Sequence, residues 1–192
     1  MKFSKIEKEH LLKAWFGISL AFALLYSDPL SDGFMIIFTI SLLTAGIGFL
    51  LHEIAHKFVA QKYRYIAEFR SDEKMLLFAV AAAYFFGFLF AAPGAVLIHG
   101  RSITKDKNGK ISAAGPATNI ILAALFFGLS FFFGNNLIAI AFKYGFRINA
   151  FLALFNMLPF MNFDGVKILD WNKTIYGIMI AISGLMTVLS YS

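Results

Sequence analysis

The chain has 192 residues, of which 59% are hydrophobic and only 15% charged, with a mean hydropathy of +0.74. A water-soluble domain of that length has no means of hiding so much apolar surface, so lipid is implied as a second solvent. The net charge of +6 suits cytoplasmic loops against anionic lipid rather than nucleic acid, and the lack of cysteine excludes disulfides and thiolate metal sites.

In chain order, the N-terminal stretch is charged and then apolar but has no small-x-small cleavage site, so it reads as a retained first helix over residues 11–27. Further apolar segments follow at 34–56, 115–134, 136–158 and 173–191, each near the length needed to cross roughly 30 Å of hydrocarbon. Loops separate them: "SDPLSDG", the basic "KFVAQKYRYIAEFRSDEK", "HGRSITKDKNGK", "GNN" and "DWNK". A sixth apolar run, residues 75–98, lies between two basic clusters, Lys57, Lys62, Arg64 and Arg70 before it and Arg101, Lys105, Lys107 and Lys110 after it. Both clusters belong on the cytoplasmic side. A single crossing would separate them, so the run is expected to re-enter: a helix from Met75, a turn at Pro93-Gly94 and a short extended return, "AVLIHG". Irregular backbone at that depth is tolerated only beside protein or a wet cavity. The expected architecture is an all-α polytopic membrane protein of five to six spans, one domain over 1–192, in the cell membrane.

The second segment ends in "LHEIAH". On a helix, His52 and His56 lie one turn apart on one face, the spacing at which two imidazoles reach one zinc ion. Glu53 stands beside them, able to act on a water at the metal as general base without ligating it. A lone histidine near a helix end would be an interfacial anchor, but three ionisable groups in five apolar positions point to function. Catalytic zinc takes a third protein ligand. His10 sits among solvated charges, and Asp28, Asp32, Asp72 and Asp106 read as loop charges. His99 reads as a loop histidine, with ligand support or substrate contact as the alternative. Asp164 remains, in "NMLPFMNFDGVKIL", where Pro159 and Gly165 re-aim the backbone after an apolar helix; it also suits an N-cap for the helix that follows.

Three stretches carry a resemblance. "HEIAH", "AAGPATN" (residues 113–119) and "NMLPFMNFDG" together resemble the site-2 protease family of intramembrane zinc metalloproteases, in its short prokaryotic form. The resemblance implies one zinc per chain held by His52, His56 and Asp164, with Glu53 activating water. It also implies a transmembrane protein segment as substrate, cut within the bilayer. The long apolar run before "AVLIHG" departs from the family pattern, and no PDZ or CBS module accompanies the chain. Parity agrees with the re-entrant run: the two ligand-bearing helices reach one depth only if residues 75–98 do not cross.

Asn119 and Asn156, in otherwise apolar segments, are candidates to donate to an oxyanion, or else to bridge helices. Gly115-Pro116 reads as a helix start. Trp15, Tyr26, Trp171 and Tyr191 read as interfacial anchors, and "PGAVLIH" as an edge onto which an unwound substrate adds as a strand. The competing classes are a catalytically inactive zinc-binding membrane protein and a membrane metal transporter. Neither inverted repeats nor a second polar path favours transport, and a binding protein has no need of Glu53. Substrate identity and oligomeric state are not readable from the sequence.

Overall fold

The structure, a computed structural model, describes residues 2–89, 93–100, 102–134 and 136–191. Helix α1 (Lys5–Tyr26) starts at Ser4, whose hydroxyl accepts from the Glu7 N–H. Helix α2 (Phe34–Ser41) runs through a π-helical turn at Leu42–Gly46 into α3 (Ile47–Lys62). Strand β1 (Ile66–Ser71), helix α4 (Glu73–Phe86) and strand β2 (Gly94–His99) follow. Four helices complete the chain: α5 (Lys105–Ser130), α6 (Leu137–Asn156), α7 (Asp164–Trp171) and α8 (Lys173–Leu189).

Among the described residues, three helical stretches are long and apolar enough to cross a membrane: Phe34–Lys62, Lys105–Ser130 and Leu137–Asn156. They suggest a membrane protein. Helix α1, with Lys5, Glu7, Lys8, Glu9 and Lys13 in its first half, and the 17-residue α8 fall outside that set. The protein's outer surface is apolar where a soluble protein's would be polar: Phe85 is 73% exposed and Phe132 81%. The core is made of small and aromatic side chains from several elements. Ala14, Ile18 and Phe22 of α1 meet Phe49 of α3, Phe69 of β1, and Ile148 and Leu152 of α6. Helix α5 lies at the centre, packed against α3, α6 and α7.

The run at 75–98 forms a hairpin, though not with the expected turn. Strands β1 and β2 pair antiparallel from Ile66–His99 to Ser71–Gly94, and the Asp72 N–H donates to the Pro93 carbonyl at 2.9 Å. The chain therefore leaves and returns at one point. Helix α4 starts on its Asp72 cap and ends at Gly87, whose φ of +67° is the left-handed cap that glycine adopts without strain. The turn thus precedes Pro93-Gly94. Residues 90–92 of the run, and Arg101 of the second basic cluster, lie outside the described residues.

Two expectations are corrected. Strand β1 sits within what reads as a basic loop, because β2 supplies a partner for its backbone that only the folded chain brings near. Helix α5 begins at Lys105, capped by Thr104, so Pro116 lies inside it rather than at its start. A proline there removes the helical hydrogen bond to the Ser112 carbonyl.

Candidate metal centre

The α3 sequence places His52, Glu53 and His56 near its middle, all buried. Asp164 arrives from the other end of the chain. After α6 ends at Asn156, Met161 takes a left-handed φ of +54° and the chain doubles back onto itself. At Gly165 a Cβ would collide with the main chain of Met157, so only glycine permits the close turn. Asp164 is the first residue of α7, with Phe163 at the cap position, so it is not an N-cap. Its Oδ2 lies 3.3 Å from His52 Nε2 and 3.0 Å from His56 Nε2, and the two Nε2 atoms are 3.0 Å apart.

Helix α5 sets which nitrogen of each imidazole faces this point. His56 Nδ1 lies 2.8 Å from the Ile111 carbonyl. A carbonyl only accepts, so Nδ1 carries a hydrogen, and in the neutral imidazole Nε2 then keeps its lone pair. His52 Nδ1 lies 2.6 Å from Asn119 Oδ1, and Asn119 Nδ2 donates to the Gly48 carbonyl at 3.2 Å and to Asn149 Oδ1 at 3.0 Å. Gly48 O only accepts and, together with Asn149 Oδ1, holds the Asn119 amide with its oxygen toward His52, so His52 Nδ1 donates as well. Gly115 stands over the convergence: a Cβ there would lie 2.5 Å from His52 Nε2 and closer still to His56 Nε2.

With both imidazoles in the neutral Nδ1–H form, the two Nε2 lone pairs and the Asp164 carboxylate oxygen converge on one point. Acceptors so placed repel one another, and a cation between them turns the repulsion into coordination. His52, His56 and Asp164 form a group that could hold a metal ion, and two nitrogens with one oxygen suit zinc. The outward Nδ1–H bonds are those that orient metal-ligating histidines.

The cluster opens onto a cavity of about 340 Å³. Glu53 lines it, with Oε2 buried and without a hydrogen-bond partner among the described residues, and the Val96 backbone within bonding reach of its carboxylate. Val96, Asn156 and Lys167 line the cavity too; Lys167 Nζ is 3.8 Å from Asp164 Oδ1. Asn156 uses Nδ2 on its own helix, donating to the Leu152 carbonyl at 2.9 Å.

The remaining candidates sit elsewhere. Asn119 is fully buried with both amide hydrogens engaged, so it holds His52 and has none to offer an oxyanion. His99 is exposed, at the far end of the strand pair, paired with Ile66. His10 is not simply solvated: its Nδ1 accepts from the Ser71 N–H at 3.0 Å, tying α1 to β1. Trp15 donates to the Leu42 carbonyl at 3.0 Å, tying α1 to the π-helical turn. Asn149 and Ile111 escaped the sequence reading. An asparagine in an apolar helix was the available signal for Asn149; a backbone carbonyl such as that of Ile111 leaves none.

A protein of Methanocaldococcus jannaschii named "Putative zinc metalloprotease" is 44% identical over 162 residues, 83% of each chain. This chain belongs to that family of zinc metalloproteases. No family model and no solved structure matches it. The family supports protease chemistry and zinc at a centre whose donor set fits that metal.

Proposed function

We propose that this protein is an intramembrane zinc metalloprotease of the site-2 type, a single multi-pass domain of the cell membrane. It binds one zinc per chain and cleaves transmembrane segments of other proteins. The observation that carries the reading is Glu53, a buried carboxylate with an unbonded oxygen in the same cavity as three converging ligand atoms, on a helix apolar enough to cross a membrane.

His52, His56 and Asp164 would hold the zinc through Nε2, Nε2 and Oδ2. When bound, zinc supplies a Lewis acid that makes water acidic enough to attack at neutral pH. Glu53 takes the proton from that water as its oxygen adds to the scissile carbonyl carbon. It then delivers the proton to the amide nitrogen as the C–N bond breaks, leaving a carboxylic acid and an amine, and transfer of the acid's proton gives carboxylate and ammonium. Asn156 has a second amide hydrogen to offer the developing oxyanion. A transmembrane helix keeps its amides internally bonded, so it must unwind to be cut. Strand β2, with Gly94, Ala95, Val96 and Ile98 on the cavity, offers an extended edge against which an unwound segment can pair. The hairpin at 72–93 keeps α3 and α6 in the parity that brings both ligand groups to one depth.

The test is Glu53→Gln, with zinc content and cleavage of a transmembrane substrate measured together. The reading expects zinc retained and cleavage reduced by about 10²-fold or more. Undiminished cleavage would remove Glu53 from the mechanism. Zinc without cleavage in the wild type as well, across varied substrates, would favour a binding protein.

A further inference from the structure

Behind the ligands, a chain of amides runs through three helices. Asn149 of α6 donates from Nδ2 to the Gly145 carbonyl of its own helix at 2.9 Å. Its Oδ1 accepts from Asn119 Nδ2 at 3.0 Å, and Asn119 Oδ1 accepts from His52 Nδ1 at 2.6 Å. Asn119 and Asn149 are both 0% exposed. A side-chain amide can turn over, exchanging its N and O ends. Were Asn119 to do so, its NH₂ would face His52 Nδ1, the imidazole hydrogen would move to Nε2, and the ligand lone pair would be lost. The Gly48 carbonyl resists that from one side and Asn149 Oδ1 from the other. Asn149 is itself held by a carbonyl that can only accept. Gly48 leaves the room for this: a Cβ there would collide with Asn149 Oδ1.

We propose that Asn149 is a positioning residue for the metal centre, holding His52 through Asn119 in the Nδ1–H form that presents Nε2 to zinc. His56 is set independently by the Ile111 carbonyl, which gives the proposal an internal control. It rests on the reading of His52 as a ligand, yet its first readout needs no metal. The ¹⁵N NMR signals of ring-labelled histidine are recorded in the metal-free protein at a pH where imidazole is neutral. In the wild type, both His52 and His56 are expected as the Nδ1–H tautomer. In Asn149→Leu, whose side chain branches as asparagine does but cannot hydrogen-bond, His52 should shift toward Nε2–H while His56 stays unchanged. Zinc affinity should weaken about 10-fold or more, the range found when groups supporting metal ligands are removed. Asn149→Ala repeats the test with a smaller side chain.

Wild-type His52 in the Nε2–H form would overturn the proposal without any variant. So would unchanged His52 signals in both variants. Equal movement of His52 and His56 would indicate a general disturbance of α3 and overturn it too. A wild type that keeps the expected tautomers but binds no zinc would instead refute the reading of the site.

Discussion

Two buried polar clusters lie side by side on α3, and they differ in completeness. Lys57, next to His56, reaches Glu7 of α1 at 2.5 Å, and its ammonium lies 4.2 Å from the centre of the Phe3 ring. The other oxygen of Glu7 accepts from the Phe69 N–H at 3.0 Å, so that cluster joins α1, α3 and β1 with both carboxylate oxygens bonded. Around the neighbouring His56, the Nε2 atoms of His52 and His56 and Asp164 Oδ2 converge within 3.3 Å of one another, and Glu53 Oε2 beside them has no hydrogen-bond partner among the described residues. Burial is similar in both. Buried charge explains neither role by itself; what separates them is whether each polar group has found its partner within the chain. A satisfied cluster holds the fold, and an unsatisfied one waits for something the chain does not contain.

The largest effect comes from breaking the complete cluster. Either Glu7→Leu or Lys57→Met strands the other charge among buried side chains, at a cost of about 3–5 kcal/mol. The double variant should recover most of that loss, since an apolar pair of similar volume replaces an ion pair at little cost. Thermal unfolding of the three variants in detergent checks this, and a double variant as unstable as the worse single would refute the structural assignment. A smaller effect sharpens the other side. Gly115→Ala places a methyl where the ligand atoms converge, and zinc affinity should fall about 10- to 100-fold. The melting temperature of the metal-free protein should stay near that of wild type, because the crowding falls on the site and not on the core. A loss of stability without loss of zinc would show that Gly115 serves helix packing alone.

The same contrast explains what could be read before folding. His52, Glu53 and His56 were legible because their relation is local: helical spacing alone fixes how they face. Asp164 was reachable by elimination, helped by the turn residues around it. That the chain comes back to Asp72 at Pro93 is a backbone pairing between separated residues, and the end of α4 was not legible, since Gly87 in "FFGFLF" looks like any small residue in an apolar run. The Glu7–Lys57 pair was hidden because each residue sits among other charges that are solvated, and only the packing of α1 on α3 and β1 selects these two. Pro116 misled for a related reason. A Gly-Pro step usually opens a helix, but α5 starts at Lys105 on its Thr104 cap and carries Pro116 in its interior, where one helical hydrogen bond is lost. Strand β1 and the Asn119–Asn149 contact are pairings between distant segments, and no local pattern encodes them.

The central claim is that His52, His56 and Asp164 are incomplete without zinc. The measurement that tests it most directly is zinc content of the purified protein in the wild type and in Asp164→Ala. The account predicts about one zinc per chain in the wild type, from a site with three protein ligands, and a value near background in the variant. Equal zinc in both proteins, or none in the wild type after exposure to the metal, would contradict it.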